Sequence, residues 1–130
     1  MYKILAVDDA NGWRNFHNTM LNQIFDIDVQ VDVANSAREG YDIVYNNMNA
    51  PYDLIISDLQ MEADFEPKYA GEWFIEQVKM LKAYMNTRIV IVSACYNIRT
   101  VAENLNVDYI PKPLVASKPE AYETLVKKCI

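Results

Sequence analysis

The sequence predicts an open α/β fold, a (βα)5 doubly wound parallel sheet, and three observations predict it. Short apolar runs rich in β-branched residues, Leu54–Ser57 and Arg88–Ser93 above all, read as strands buried on both faces. Longer stretches carry apolar residues at helical spacing and read as amphipathic helices. The two kinds of segment alternate along 130 residues, which is room for one domain, 1–130. Such alternation gives a parallel sheet with helices on both faces. A crevice opens where the winding direction reverses, flanked here by the first and third strands.

Lys3–Val7 is the first strand, followed by Asp8-Asp9 and a turn at Ala10-Asn11-Gly12. Trp13, Phe16, Met20, Leu21, Ile24 and Phe25 recur at helical spacing, which predicts a helix from Trp13 to Phe25. His17 lies beside that stripe and reads as a boundary residue rather than a ligand. Asp28–Val33 alternates strictly, as an edge strand with one polar face would. Ser36-Ala37-Arg38-Glu39 has capping-box form and opens a helix with Ala37, Tyr41, Val44, Tyr45 and Met48 on one side. Leu54–Ser57 is the third strand and runs straight into Asp58. The acidic stretch from Gln60 to Ala70, holding Glu62, Asp64, Glu66 and Pro67, reads as a loop.

A third helix is expected from Gly71 to about Met85, with Phe74, Ile75, Val78, Leu81 and Met85 facing in. Arg88–Ser93 is the fourth strand, and a short helix follows around Arg99–Leu105. Val107–Ile110 is the fifth strand, closed by Pro111-Lys112-Pro113. Pro119 suits the first turn of a fifth and last helix, which buries Tyr122, Leu125, Val126 and Cys129.

Composition narrows the function. A net charge of −6 argues against nucleic-acid backbone as a partner and offers no basic face to anionic lipid. Cys95 and Cys129 are too few and too far apart for a disulfide scaffold or a zinc site. They read as buried thiols of a reducing cytoplasm. No apolar run approaches the length of a membrane span, and the N-terminal one is too short for a signal peptide.

The residues just past the inner strands share one chemistry: Asp8 and Asp9 after the first, Asp58 after the third, Ser93 after the fourth and Lys112 after the fifth. Each alone has a plainer reading. Asp8-Asp9 and Ser93 could cap helices, and Lys112 could be a solvated charge. Together those plainer readings require several coincidences at one edge of the sheet. Clustered carboxylates repel one another, and a hard cation such as Mg²⁺ relieves that repulsion while keeping several waters. Carboxylates, Mg²⁺, a lysine and a hydroxyl make a phosphoryl site, with the metal bridging Asp9 and Asp58 to a phosphoryl oxygen. Asp58 would attack and form an acyl phosphate, Lys112 would neutralise a second oxygen, and Ser93 would donate to a third.

On Val7-Asp8-Asp9, Asp58-Leu59-Gln60-Met61, Ser93-Ala94 and Lys112-Pro113, in this order and spacing, the chain resembles a single-domain receiver of the bacterial two-component response regulators. The resemblance covers essentially the whole length. It implies a flavodoxin-like sheet of order 2-1-3-4-5. It implies that Asp58 is the phosphoacceptor, charged by a sensor histidine kinase or a histidine phosphotransfer protein. Asp8, Asp9, Asp58 and the backbone carbonyl of Gln60 would hold Mg²⁺, while Ser93 and Lys112 contact the phosphoryl group. The Lys112–Pro113 bond would be cis. Tyr109 stands at the aromatic switch position. Its inward turn, with the movement of Ser93, would remodel the face of the fourth helix, fifth strand and fifth helix for a downstream protein. Gln60 and Cys95 occupy the two variable positions that tune phosphorylation rates, and Arg14 stands where many members carry arginine. Glu62 in place of the family's usual Pro, the long acidic connection after Asp58, and Pro111 before Lys112 depart from the pattern.

The expected function is therefore a phospho-accepting signalling domain, not an enzyme, with at most slow autodephosphorylation. The chain stops after the fifth helix, so its expected output is protein contact, not DNA binding. One rival is a haloacid-dehalogenase-like phosphatase, which would carry D-x-D after the first strand where this chain has Asp-Asp-Ala. Another is a receiver-like scaffold that is never phosphorylated. A flavodoxin-type electron carrier would need a hydroxyl-rich loop where Ala10-Asn11-Gly12 stands.

Overall fold

The computed structural model describes residues 1–26, 28–61 and 68–130. Its five strands are β1 (Tyr2–Val7), β2 (Val29–Ala34), β3 (Leu54–Ser57), β4 (Arg88–Ser93) and β5 (Asp108–Pro111). All pair in parallel, in the order β2-β1-β3-β4-β5. The helices are α1 (Asn11–Phe25), α2 (Ala37–Asn46), α3 (Ala70–Lys79), α4 (Ile98–Leu105), α5 (Lys112–Ser117) and α6 (Pro119–Lys128). This is the flavodoxin-like doubly wound sheet, with the polar-faced β2 at an edge as its alternation predicts. No helix among the described residues is long and apolar enough to cross a membrane.

Period-two alternation sends successive strand residues into two separate cores. Leu5, Val7, Ile55, Ile89 and Ile91 pack with Val44, Phe74, Ile75 and Val78 on the side of α2 and α3. Ile4, Leu54, Ile56, Val90 and Val92 pack with Leu21, Tyr122 and Val126 on the side of α1 and α6. The Ser36 half of the capping box forms as its letters suggest, and the Glu39 carboxylate takes the N–H one residue ahead of the cap. Glu39 N donates to Ser36 Oγ at 3.0 Å, and the Glu39 carboxylate reaches back to Asn35 N at 2.7 Å.

Four expectations need correction. The helix expected to run from Gly71 to Met85 stops at Lys79, and a 3₁₀ turn takes up Lys82–Tyr84. Tyr84 is buried there, its hydroxyl donating to Val44 O at 2.9 Å, and that tertiary bond overrides the helical period. Met85 is consequently exposed instead of facing in. Tyr45 is also exposed, because it lies about 100° round α2 from the buried Val44. The residues after β5 form an additional helix, α5, opened by Lys112 and Pro113, so the described chain has six α-helices and not five. The acidic residues Glu62, Asp64 and Glu66, and Pro67 after them, lie outside the described residues.

The fourth correction is His17, which is buried and not at a boundary. Its Nδ1 lies 2.8 Å from the Tyr122 hydroxyl, and the rings of Trp13 and Phe16 flank it. Burial, and secondarily the charge of Lys112, push its pKa down from 6.5 to about 3. Between those values the unfolded chain binds a proton that the folded chain refuses, so stability rises with pH through that window. The contribution is fully present above 6.5 and is lost as pH falls toward 3. His17→Gln is expected to flatten the dependence by one proton, about 1.4 kcal/mol per pH unit. Urea unfolding of both proteins across that range checks this, because the titration of the carboxylates cancels in the difference.

Candidate functional site

Strand register builds the site. Val7 pairs with Ser57, so the residues that follow them, Asp8 and Asp58, leave the sheet side by side. The ladder continues one step, with Asp58 N donating to Val7 O at 2.9 Å and Asp8 N to Ala34 O at 3.0 Å. Ser57 pairs with Ile91, so β4 overruns β3 and ends at Ser93. Ser93 pairs with Pro111, and Lys112 follows. This is the carboxyl edge of the sheet, where open α/β folds bind ligands.

Lys112 ties the edge together. Its Nζ lies 2.8 Å from Asp58 Oδ2 and 2.9 Å from Asp8 Oδ2. The other oxygens are held by backbone. Asp58 Oδ1 accepts from Leu59 N at 2.6 Å and Asp8 Oδ1 from Ala10 N at 2.9 Å. Asp8 therefore braces the turn and does not cap α1, whose N-cap position is Ala10 without a side-chain bond. Arg14 donates to the Asp8 carbonyl at 2.8 Å and fixes the same turn.

The charge balance is uneven. Asp8, Asp58 and Ser93 are buried and Lys112 nearly so, whereas Asp9 is exposed. Burial pushes the Asp8 carboxyl up from its ordinary value, against the Ala10 N–H and Lys112. Burial pulls the Lys112 ammonium down, but its close contacts with the Asp58 and Asp8 carboxylates outweigh that and leave it raised. One ammonium thus serves two enclosed carboxylates.

The donor set suits a hard divalent cation. One carboxylate oxygen from each of Asp8, Asp9 and Asp58 lies within 4.8 Å of the others. Asp8 Oδ2 is buried and makes no hydrogen bond, its contact with Lys112 being purely ionic. A buried anionic oxygen without a hydrogen bond, beside two further carboxylates, is what Mg²⁺ takes up. Gln60 is exposed at the rim.

The remaining residues sit around this centre. Ser93 Oγ accepts from Cys95 N at 3.2 Å, and a hydroxyl so engaged keeps its own proton to donate. Burial raises the Cys95 thiol above its ordinary value and so disfavours its thiolate. Tyr109 is half-buried against the core on the side of α2, α3 and α4.

Three contributors had no functional signal in the sequence. Tyr69 donates to Asn97 Oδ1 at 3.0 Å, joining the start of α3 to the start of α4. Gly71 approaches the backbone of Asp58 and Leu59 so closely that its N–H donates to Leu59 O at 3.0 Å. The Trp13 ring lies under the Lys112 ammonium, 4.9 Å from Nζ to the centroid.

No family profile and no curated protein sequence matches the chain. Solved structures do match in fold. The chemotaxis response regulator CheY4 of Vibrio cholerae superposes with a TM-score of 0.76 at 24% identity, over 100% of this chain and 99% of that one. The signal receiver domain of a DNA-binding response regulator from Colwellia psychrerythraea 34H gives 0.78 at 17% identity, over 98% and 97%. The non-phosphorylated HemR receiver domain of Leptospira biflexa gives 0.76 at 19%, over 99% and 94%. In fold, the chain is similar to these receiver domains over nearly the whole length of each.

Proposed function

We propose that this chain works as a phospho-accepting receiver, with Asp58 taking a phosphoryl group from a histidine kinase or a histidine phosphotransfer protein. The observation that carries the reading is the Lys112 ammonium bridging Asp8 and Asp58 at the strand ends, with Asp9 completing an acidic cluster. In a phosphoryl donor the Asp58 carboxylate oxygen attacks phosphorus. The bond from phosphorus to the donor's leaving group breaks, and the leaving group departs with the electron pair. Asp58 suits this role better than Asp8, which is wholly enclosed and biased by burial toward its neutral form.

Asp8, Asp9 and Asp58, with the Gln60 carbonyl, would hold Mg²⁺, which supplies charge neutralisation for the transferring group. Lys112 stabilises a second phosphoryl oxygen, and Ser93 donates its hydroxyl proton to a third. A phosphorylated Asp58 carries about −1.5 to −2 charge by analogy with other phosphorylated residues. That charge draws Ser93 inward and lets Tyr109 follow, biasing the face of α4, β5 and α6 toward one of two arrangements for a downstream protein.

Acetyl phosphate with Mg²⁺ is expected to label the chain once, on Asp58, with acetate as the leaving group. Chelation of the metal is expected to remove the label. Mass spectrometry with the modified residue located reads both results. Continuous phosphate release without a stable label would instead favour a phosphatase of the haloacid-dehalogenase kind. Absence of any label would favour a scaffold that is never phosphorylated.

A further inference from the structure

The sequence places Trp13 first in the apolar stripe of α1, where any large apolar side chain would serve. The structure gives it a charged neighbour. Lys112 Nζ contacts Asp58 Oδ2 at 2.8 Å, Asp8 Oδ2 at 2.9 Å and the face of the Trp13 ring at 4.9 Å from its centroid. Two carboxylates neutralise an ammonium but do not locate it. A point charge on a flexible four-carbon stem slides toward whichever oxygen is more negative, and ligand or phosphoryl binding alters that balance. A third contact whose charge does not change defines a position. An indole face is the strongest such contact among the side chains.

The indole is itself held. Trp13 packs edge-on against Phe16 with centroids 5.3 Å apart and lies 6.0 Å from the His17 ring. Phe16 stands edge-on to Tyr122 at 5.2 Å, and His17 is bonded to the Tyr122 hydroxyl at 2.8 Å. The ring is therefore packed on α1 side chains that α6 holds in turn.

We propose that Trp13 is a positioning residue, whose indole face fixes where the Lys112 ammonium stands over Asp8 and Asp58. The consequence for rate rests on the phosphoacceptor reading of Asp58, whereas the placement of the ammonium does not. Trp13→Phe keeps an aromatic face, and Trp13→Leu keeps apolar bulk without one.

The labelling rate constant at saturating acetyl phosphate and Mg²⁺, per folded protein, is expected to fall about tenfold in Trp13→Leu. It is expected to stay within about threefold in Trp13→Phe, because a phenyl face is a weaker version of the same contact. The half-saturating acetyl phosphate concentration is expected to change little. In proton NMR the Lys112 ε-methylene signals are expected upfield in the wild type and in Trp13→Phe, shifted by the ring, and at ordinary positions in Trp13→Leu. Equal rates for the Phe and Leu variants, or Lys112 signals unmoved in Trp13→Leu, would overturn the proposal. A wild-type chain that takes no label overturns the phosphoacceptor reading and the rate claim with it. The Lys112 signals then decide by themselves whether Trp13 holds the ammonium.

Discussion

Gly71→Ala is expected to destabilise the protein by about 3 kcal/mol and to abolish labelling of Asp58. A Cβ at Gly71 would fall onto the Asp58 carbonyl oxygen and stand 2.7 Å from Leu59 Cα and 2.8 Å from the Asp58 carbonyl carbon. These are backbone atoms, which no rotamer change can move aside. Either α3 withdraws, breaking the Gly71 N to Leu59 O bond, or the end of β3 shifts and carries Asp58 with it. The requirement is for space, since no glycine has a positive φ. Gly12 supplies the control, because nothing lies within 4 Å of its Cβ position. Gly12→Ala is expected to leave labelling intact and to stabilise α1 by up to about 1 kcal/mol. Urea unfolding and acetyl phosphate labelling of the two variants check the contrast. A Gly71→Ala protein that melts and labels like the wild type would show that the close approach is unimportant.

Lys112→Ala is expected to cost about 3 to 5 kcal/mol at neutral pH without metal, since it leaves two enclosed carboxylates with no cation. Asp8 would lose the lowering influence of Lys112 while burial and Asp58 continue to raise it. A carboxyl raised above its unfolded value of 3.8 binds its proton more tightly in the folded state. The variant should therefore regain stability as pH falls through the folded pKa toward 3.8, and lose it again as pH rises. Mg²⁺ should also restore stability, by mass action on a site the unfolded chain lacks. Labelling is expected to fall about a hundredfold or more, as when a preorganised electrostatic contact is removed. Urea melts across pH, with and without Mg²⁺, measure the first three effects. Unchanged stability at neutral pH without metal would mean that the ammonium does not hold the carboxylates.

These two sites were unequally legible. Asp8, Asp9, Asp58, Ser93 and Lys112 each follow a strand, and strands of this class announce themselves by short β-branched runs. The edge is therefore legible in the letters alone, and the expected and observed bounds of β3 coincide at Leu54–Ser57. Gly71 reads only as the start of a helix, because the atoms it must avoid belong to another element. Trp13 and His17 both lie on or beside one apolar stripe. Nothing local distinguishes a ring facing an ammonium from a ring facing leucine, or a buried imidazole from one at a boundary. The break after Lys79 has no local signal, because Tyr84 is captured by Val44 O of α2, a partner outside any local window.

The amino-acid order by itself determined the alternation of strands and helices, the polar edge strand, and the acids, hydroxyl and lysine placed past the strand ends. Those features depend on neighbours two to four residues apart, which a linear reading contains. Tertiary structure decided that one ammonium spans Asp8 and Asp58, that an indole lies beneath it, and that a glycine must touch the β3 terminus. Each of these is a contact between elements, set by strand register and helix packing, and the chain carries no local period that encodes it.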